Sequence, residues 1–229
     1  MFRQWREAKR QHPDALLFFR MGDFYELFFE DAEVAAPILE IALTARGKGT
    51  ATAAPMCGVP HHAVNAYLAR LVERGYRVAV CEQMEDPRKT KGMVRREVIR
   101  VVSPGTFVEQ ERLDPGEGLY LAALAPAQGS DAVGIALCDL STGGIVLARA
   151  AEGADLADLL ARYGVREVLV AERDAAAFRP MLPEVRGAPP LLTPLPDRRF
   201  ERGRARERVQ EQLKVGSLAG FGCPDDHPA

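Results

Sequence analysis

The feature that most constrains the fold is a short, uninterrupted apolar run, Leu16-Leu17-Phe18-Phe19. A strand with one face in water alternates apolar and polar residues, whereas a continuous apolar run indicates a strand that is buried on both faces of a sheet. We therefore predict a buried strand from Ala15 to Met21, preceded by a short helix over residues 3–12.

The segment after this strand, Gly22-Asp23-Phe24-Tyr25-Glu26, places a large aromatic residue and a carboxylate two positions apart. Gly22 supplies the backbone freedom that a turn requires. The following residues show helical spacing, so we predict a helix from about Tyr25 to Leu39, with Phe24 and Glu26 at the junction of strand and helix. From these residues alone, Phe24 is more often a buried core residue and Glu26 a solvated acid in the first turn of a helix.

The rest of the first half predicts an α/β domain with a mixed sheet. Residues 44–60 carry several glycines and prolines, which favour a loop with one short strand. A helix from His62 to Arg74 has apolar residues at spacings of three and four, and Gly75 follows its end. Strands are predicted at Tyr76–Cys81 and Val94–Val102.

A composition break at Asp114–Gly118 marks the start of a second half with its own core. Here we predict strands at Tyr120–Leu124, Ala132–Leu140, Ile145–Ala148 and Glu167–Ala171, and helices at Asp155–Tyr163 and Glu201–Leu213. Residues 180–196 contain six prolines and predict an irregular connector. A chain of 229 residues can form two domains with separate cores, which we place at residues 1–113 and 114–229.

Composition favours a protein that works in the cytoplasm. Hydrophobic residues make up 47% of the chain and charged residues 27%, and no apolar stretch approaches the roughly 20 residues that cross a bilayer. The amino terminus lacks the apolar core of a secretion signal. The four cysteines are scattered along the chain and form no disulfide-type cluster. We therefore expect a reducing, cytoplasmic setting and no membrane role.

The net charge of −2 conceals a difference between the two halves. Residues 1–105 contain 16 Lys and Arg against 13 Asp and Glu, a net of +3, while residues 106–229 contain 14 against 19, a net of −5. Contacts between Lys or Arg and phosphates supply most of the nonspecific affinity for DNA. A net of +3 is too small for strong independent binding to a polyanion, so we do not expect this chain to hold DNA alone.

Several segments follow one another in an order that composition does not demand. In the first half they are Phe18-Phe19-Arg20-Met21-Gly22-Asp23-Phe24-Tyr25-Glu26-Leu27-Phe28, Leu43–Gly47, Pro55–Ala63, Val80–Met84 and Arg95–Thr106. These five segments resemble the mismatch-recognition region of the MutS family of DNA mismatch-repair proteins. Asp139–Gly143 and Leu218–Gly222 also resemble that family, so the resemblance spans nearly the whole chain.

The resemblance implies a fold and a set of site residues. It implies a mixed-sheet mismatch-binding domain followed by a connector domain that is ribonuclease H-like but lacks nuclease activity. In the family, an aromatic residue at the position of Phe24 stacks on the mispaired base, and a glutamate at the position of Glu26 forms a hydrogen bond with it. The predicted DNA-binding residues are Phe24, Glu26, Arg46, Lys48 and Met21.

The implied chemistry depends on how easily a base step deforms. An apolar wedge inserted from the minor groove unstacks neighbouring bases and kinks the duplex, at a cost of a few kcal/mol per step. A mispaired base is easier to displace, so the wedge selects weakened stacking rather than sequence. A carboxylate beside the wedge repels the phosphates of ordinary duplex but can accept a hydrogen bond from an exposed base edge.

Basic residues in predicted loops or at a strand start could reach phosphates. They are Arg46, Lys48, Arg88, Lys89, Lys91, Arg95 and Arg96. For any single one of them, a solvated surface position is the more common role. Arg46 is favoured because it lies in a Leu-Thr-x-Arg-Gly pattern. The family usually carries a basic residue where this chain has Ala45, so this chain lacks the cation for that contact.

Two other kinds of site are considered. Cys57, His61, His62 and Cys81 have the side chains of a zinc site, but their spacing matches no standard arrangement, so no metal is expected. Asp139 lies at the end of a predicted strand, where ribonuclease H-like nucleases hold catalytic metal. A nuclease would need further carboxylates near Asp139, for which only Glu167 or Glu172 is available.

No Gly-x-x-x-x-Gly-Lys-Ser/Thr phosphate-binding loop occurs in the chain, so we expect no ATPase activity and no cofactor in these residues. The resemblance implies ATP and Mg in another domain of the full-length family, and we expect a fragment that carries the mismatch-binding and connector domains. The implied partners are double-stranded DNA with mismatches or small loops, a second copy of the full-length protein, and a MutL-like repair protein.

Overall fold

The computed structural model describes residues 1–47, 53–85, 92–107, 118–127, 131–151, 153–185 and 187–223. The chain divides into two compact units, Met1–Phe107 and Val108–Ala229. The domain boundary that we predict between residues 113 and 114 lies outside the described residues, as do positions 114–117 of the predicted hinge.

The first unit is built on a six-stranded mixed sheet. Its strands are β1 (Ala15–Met21), β2 (Phe24–Phe28), β3 (Thr44–Arg46), β4 (Ala54–Pro60), β5 (Arg77–Gln83) and β6 (Arg96–Val102), and its helices are α1 (Phe2–Gln11), α2 (Glu30–Leu39) and α3 (Val64–Glu73). The strand order is β3-β4-β2-β1-β5-β6, with β1 parallel to β5 and the other neighbours antiparallel.

Strand β1 is buried on both faces, which confirms the prediction from its apolar run. Leu17, Phe18 and Phe19 have no exposed surface. Phe18 packs in a core with residues of α2 and α3, while Leu17 and Phe19 pack in a second core with α1. The sheet therefore lies between helices on its two faces.

The predicted helix from Tyr25 is wrong over its first residues. Phe24–Phe28 form strand β2, joined to β1 by a two-residue loop in which Gly22 has a φ of +60°. Aromatic residues favour strands, and a positive φ at the first loop residue suits the twist of a tight hairpin. The apparent helical spacing arose because β2 buries side chains on both faces of the sheet. Helix α2 begins only at Glu30, where acids occupy its first turn.

The predicted loop at residues 44–60 is also wrong, because this segment contains strands β3 and β4. Strand β4 pairs with the whole of β2. Its prolines, Pro55 and Pro60, lie near its two ends, where a missing N–H disturbs the ladder least. A Cβ added at Gly58 would lie 3.4 Å from the carbonyl oxygen of Tyr25, at the short end of ordinary van der Waals contact.

The second unit is built on a five-stranded mixed sheet. Its strands are β7 (Tyr120–Pro126), β8 (Val133–Asp139), β9 (Ile145–Ala150), β10 (Glu167–Ala171) and β11 (Leu191–Leu195), and its helices are α4 (Gly153–Arg162), α5 (Ala175–Phe178) and α6 (Arg202–Leu213). The strand order is β11-β10-β7-β8-β9, with β8 antiparallel to both its neighbours and β7, β10 and β11 parallel. This is the strand arrangement of the ribonuclease H-like fold.

One prediction for this unit is wrong. The proline-rich residues 180–196 are not wholly irregular, because β11 lies within them and pairs with β10 over five residues. Pro194 is tolerated because β11 lies at the edge of the sheet. The other strands and helices that we predict in both units are present within a few residues of their predicted bounds. Among the described residues, no helix has the length and apolar character that spanning a membrane requires.

Candidate nucleic-acid interface

Strand β2 presents Phe24 and Glu26 on the same face of the sheet. Successive side chains of a strand alternate between faces, whereas two residues that are two apart on a helix point about 200° apart. Tyr25 and Leu27 enter the core with α2, and Phe28, on the face of Phe24, enters the core with α1. The correction from helix to strand therefore brings the aromatic residue and the carboxylate together.

Phe24 lies at the open end of this face. Its side chain is 48% exposed, whereas Phe28 at the other end of β2 is fully buried. Met21, half-buried at the end of β1, is the direct cross-strand neighbour of Phe24. On the other side Phe24 is paired with Pro60 of β4. Phe24 is thus a large apolar side chain held in water, and it is not the core residue that a bare aromatic would suggest.

The hairpin that carries Phe24 is tied on both flanks. The His61 backbone N–H donates a hydrogen bond to the Asp23 carbonyl at 2.9 Å. The Arg20 Nε donates to the Gly22 carbonyl at 2.5 Å. Because both carbonyls of the two-residue loop have partners, the tip is held rather than left to fray.

A polar network holds the reverse face of the hairpin. The Tyr25 hydroxyl donates to the Glu82 carboxylate at 2.6 Å, and Arg20 pairs with the same carboxylate at 3.4 Å. The Arg20 guanidinium also lies 5.4 Å from the centre of the Tyr25 ring. Burial raises the pKa of the Tyr25 hydroxyl, and the bond to Glu82 adds to that effect. Tyr25 therefore stays protonated and keeps the strand under Phe24 in place.

Glu26 is paired and partly buried. Its side chain is 17% exposed, and its Oε2 accepts a hydrogen bond from the Arg46 Nη1 at 2.9 Å. Burial raises the pKa of the Glu26 carboxyl, while the positive charges of Arg46 and Arg96 act in the opposite direction. Its cross-strand neighbours are Phe19 on β1 and Gly58 on β4, so no other charge is directly opposite it.

The basic residues that the sequence suggests separate into different roles. Arg46 is bound to Glu26. Arg96 is partly buried, donates to the Arg20 and Val94 carbonyls at 2.7 and 2.9 Å, and lies 5.3 Å from the Phe19 ring centre. It supports the sheet rather than reaching outward.

Arg95 is exposed and lies 3.4 Å from the Glu97 carboxylate. Lys48, predicted to bind DNA, lies outside the described residues, as do Arg88, Lys89 and Lys91.

The structure also shows residues that sequence reasoning missed. Glu82 and Arg20 support the hairpin on the face opposite Glu26. Glu82 is also distant from Glu26 in the chain. Arg20 and Glu82 both lie inside segments that resemble the family, but nothing in their local sequence indicates a contact with Tyr25. Only the parallel pairing of β1 with β5 brings them together.

The thiols are not arranged for metal binding. Cys57 and Cys81 are buried, and burial raises their pKa values to about 11 and about 12. A metal ligand must be the thiolate, which burial disfavours here. Within the described residues no three His, Cys, Asp or Glu side chains come together as metal ligands.

Asp139 is occupied by its own turn. Its carboxylate accepts hydrogen bonds from the Ser141 N–H at 2.9 Å, the Ser141 hydroxyl at 2.7 Å and the Thr142 hydroxyl at 2.9 Å. The bonds from Ser141 lower the pKa of Asp139 most. Glu167 accepts a bond from the Thr193 hydroxyl at 2.6 Å, and Glu172 lies in a separate 3-10 turn. This arrangement is typical of a turn-capping acid, and the nuclease interpretation is not favoured.

Comparison with known proteins relates both units to the same protein family. Family models match the chain twice, as MutS domain I over residues 1–111 and as MutS domain II over residues 119–229. The DNA mismatch repair protein MutS of Desulfosudis oleivorans is 46% identical over 228 residues, which are 97% of this chain and 25% of that protein. MutS of Anaeromyxobacter sp. strain Fw109-5 is 47% identical over 222 residues, which are 97% of this chain and 24% of that protein. The chain spans about a quarter of the length of these relatives.

Proposed function

The chain belongs to the MutS family of DNA mismatch-repair proteins, and from this premise we propose that it recognises mispaired or unpaired bases in duplex DNA. One observation carries the proposal: a half-exposed Phe24 and a partly buried Glu26 stand side by side on one strand face, on a hairpin held from several directions.

Phe24 acts as the wedge in this proposal. Unstacking a base step costs a few kcal/mol, which a mispaired step lowers, so a rigid apolar side chain gains more from a weakened step than from a sound one. Rigidity matters because a mobile tip would lose conformational entropy on insertion and would offset that gain. Met21 adds apolar surface beside the wedge.

Glu26 supplies the polar contact. Its carboxylate can accept a hydrogen bond from a base edge that is out of its pair, and its charge opposes the phosphates of sound duplex. Arg46 and Lys48 complete the predicted set of DNA-binding residues, with Arg46 held against Glu26 in the absence of DNA.

The second unit acts as a connector. Its net charge of −5 over residues 106–229 argues against a principal contact with DNA. Its sheet is ribonuclease H-like, but Asp139 is a turn acid. In this proposal the fold is therefore a scaffold and not a nuclease. The proposal further includes ATP and Mg binding by a different domain of the complete family members, their assembly as a homodimer and contact with a MutL-like partner, for which family membership is the support.

The test replaces the wedge in a complete protein. In a chimera, this chain takes the place of the matching segment of MutS from Anaeromyxobacter sp. strain Fw109-5, and fluorescence anisotropy measures binding to mismatched and matched duplexes. Phe24→Ala should lower the preference for the mismatch by about 5- to 150-fold, since stacking of an aromatic on a base is worth about 1–3 kcal/mol.

The matched control is Phe221→Ala, which removes another exposed phenylalanine, 62% exposed, in the second unit. It should leave the preference unchanged. An unchanged preference in Phe24→Ala would exclude the wedge role, and a parent chimera without any preference would overturn the proposed function itself.

A further inference from the structure

Like Arg10, Arg70 and Arg95, Arg46 is a solvent-accessible arginine paired with a glutamate, but its partner is Glu26, the residue proposed to contact the base. It leaves strand β3 and reaches the Glu26 carboxylate on β2, with Nη1 and Oε2 2.9 Å apart. Strand β4 lies between β3 and β2 and presents Gly58 opposite Glu26, so no side chain from that position interrupts the contact.

Partial burial gives this ion pair weight. The Arg46 side chain is 41% exposed and that of Glu26 is 17% exposed. Fully exposed pairs contribute little because water and salt screen them, whereas a carboxylate removed from water depends on its partner to remain ionised. Without Arg46, the partly buried Glu26 carboxylate would be an unpaired negative charge.

The charges around Glu26 identify Arg46 as its main counter-charge. From β6, Arg96 also acts on Glu26, but its guanidinium is bound to backbone carbonyls. From α1, on the same face of the sheet, Lys9 is paired with Asp31 at 2.7 Å. The neighbouring positions on β1 and β4 carry no charge.

Helix α2, which begins two residues after β2, adds only acids in its first turn, Glu30, Asp31 and Glu33. Of the described groups near Glu26, Arg46 is the one that forms a direct bond with it.

We propose that Arg46 is a positioning residue that acts through Glu26, holding its carboxylate ionised and oriented for the base, and so helps to set specificity rather than serving as an independent phosphate contact. The inference rests on the proposed function. Because Glu26 stays ionised, it keeps the charge that opposes the phosphates of sound duplex, and Arg46 fixes its orientation toward an exposed base edge. The Oε1 atom remains for the base edge while Oε2 stays on Arg46.

A measurement without DNA tests the first half of this inference. The pKa of Glu26 is followed by NMR of its side-chain carboxyl carbon in the chain, with folding monitored by the dispersion of the same spectra. Arg46→Gln should shift the pKa of Glu26 upward, and Arg46→Lys, which keeps the charge, should restore most of the wild-type value.

The matched control is Arg70→Gln. Arg70 lies on α3, packed on the other face of the sheet, and has its own glutamate partner, Glu40, at 3.7 Å. It should leave the pKa of Glu26 unchanged. A pKa of Glu26 that is equal in wild type and Arg46→Gln would overturn the inference, whatever the chain binds.

Binding by the chimera tests the second half. Arg46→Gln should lower the mismatch preference about tenfold or more, the loss typical of a hydrogen bond to a charged group, and move the Glu26-dependent part of the pH profile upward. In a Glu26→Gln background, the same substitution should have no effect on preference or profile.

A plain phosphate contact gives a different result. Arg46→Gln would then weaken binding to matched and mismatched duplexes equally, reduce the slope of log K against log salt by about one, and leave the pH profile in place. That outcome, with a parent that prefers mismatches, would overturn the role of Arg46 and leave the proposed function standing. A parent without preference would instead count against the proposed function.

Discussion

At the scale of single residues, chemistry in this chain depends on which neighbours the sheet supplies. Glu26 and Asp139 are both acids with little exposed surface, yet burial raises the pKa of Glu26 whereas hydrogen bonds from Ser141 lower the pKa of Asp139. The Glu26 carboxylate accepts a hydrogen bond from an arginine on another strand, whereas Asp139 accepts three from Ser141 and Thr142 of its own turn. Residue type alone does not separate the two.

The buried thiols predict a pH dependence of stability. An unfolded cysteine loses its proton near pH 8.5, whereas folded Cys57 and Cys81 keep theirs to about pH 11 and about pH 12. Between these values the unfolded chain binds fewer protons, so the free energy of unfolding falls as pH rises, by at most about 1.4 kcal/mol per pH unit for each thiol.

Urea unfolding at pH 8 and pH 10 measures this slope. Cys81→Ala should make the loss of stability between the two pH values smaller. Val80→Ala, in the same strand and equally buried, is the control, because it should destabilise the protein by a similar amount at both pH values. An equal loss of stability between the two pH values in wild type and Cys81→Ala would contradict the raised pKa of the Cys81 thiol.

At the scale of elements, the β1–β2 hairpin decides the geometry of the candidate site. Its two-residue loop sets the register in which Met21 stands beside Phe24 and Phe19 beside Glu26. A register shift of one residue would send Phe24 and Glu26 to the opposite face, toward α2 and α3. The loop conformation and the Tyr25 network are therefore part of the geometry of the candidate site.

The hairpin loop can be tested through its glycine. Gly22 has a φ of +60° and its added Cβ would meet no atom within 4 Å, so Gly22→Ala introduces backbone strain without a steric clash. We expect it to lower the free energy of unfolding by about 1 kcal/mol and to reduce the mismatch preference of the chimera, because the tip that carries Phe24 relaxes.

Gly143, with a φ of +75° and equal space in the β8–β9 turn, provides the matched control. Gly143→Ala should lower stability by a similar amount and leave the mismatch preference intact. If both substitutions affect the preference alike, the hairpin conformation has no special role in recognition.

At the scale of the whole molecule, the two units divide the work that we propose. The first has a net charge of +3 over residues 1–105 and carries the half-exposed Phe24, while the second has a net of −5 over residues 106–229 and a separate hydrophobic core. Neither net charge provides a strong electrostatic attraction for a duplex. Selectivity at the hairpin therefore needs further contacts before it becomes tight binding.

Binding by the 229-residue chain alone should accordingly be weak. We expect a Kd of about 10⁻⁴ to 10⁻⁶ M for matched duplex at physiological salt, with affinity that falls further as salt rises. Fluorescence anisotropy over a salt titration measures this. Tight binding that is insensitive to salt would contradict the weak binding that we expect from the two net charges.

Short-range patterns in the sequence are sufficient to predict several parts of this protein. The continuous apolar run predicted β1 with burial on both faces, and most strands and helices of both units followed from periodicity. Motif order in the first half predicted the family. These features depend on neighbours a few positions apart, which the chain itself displays.

The assignment of residues 24–28 to a strand follows only from the tertiary structure. That strand places Phe24 and Glu26 on a common face. Spacings of two, three and four residues are compatible with a helix or with a strand buried on both sides, and the pairing with β1 and β4 settles which forms. The bonds from Arg46 to Glu26 and from Tyr25 to Glu82 span 20 and 57 positions in the chain. Such contacts arise from strand order in the sheet, which local pattern does not encode.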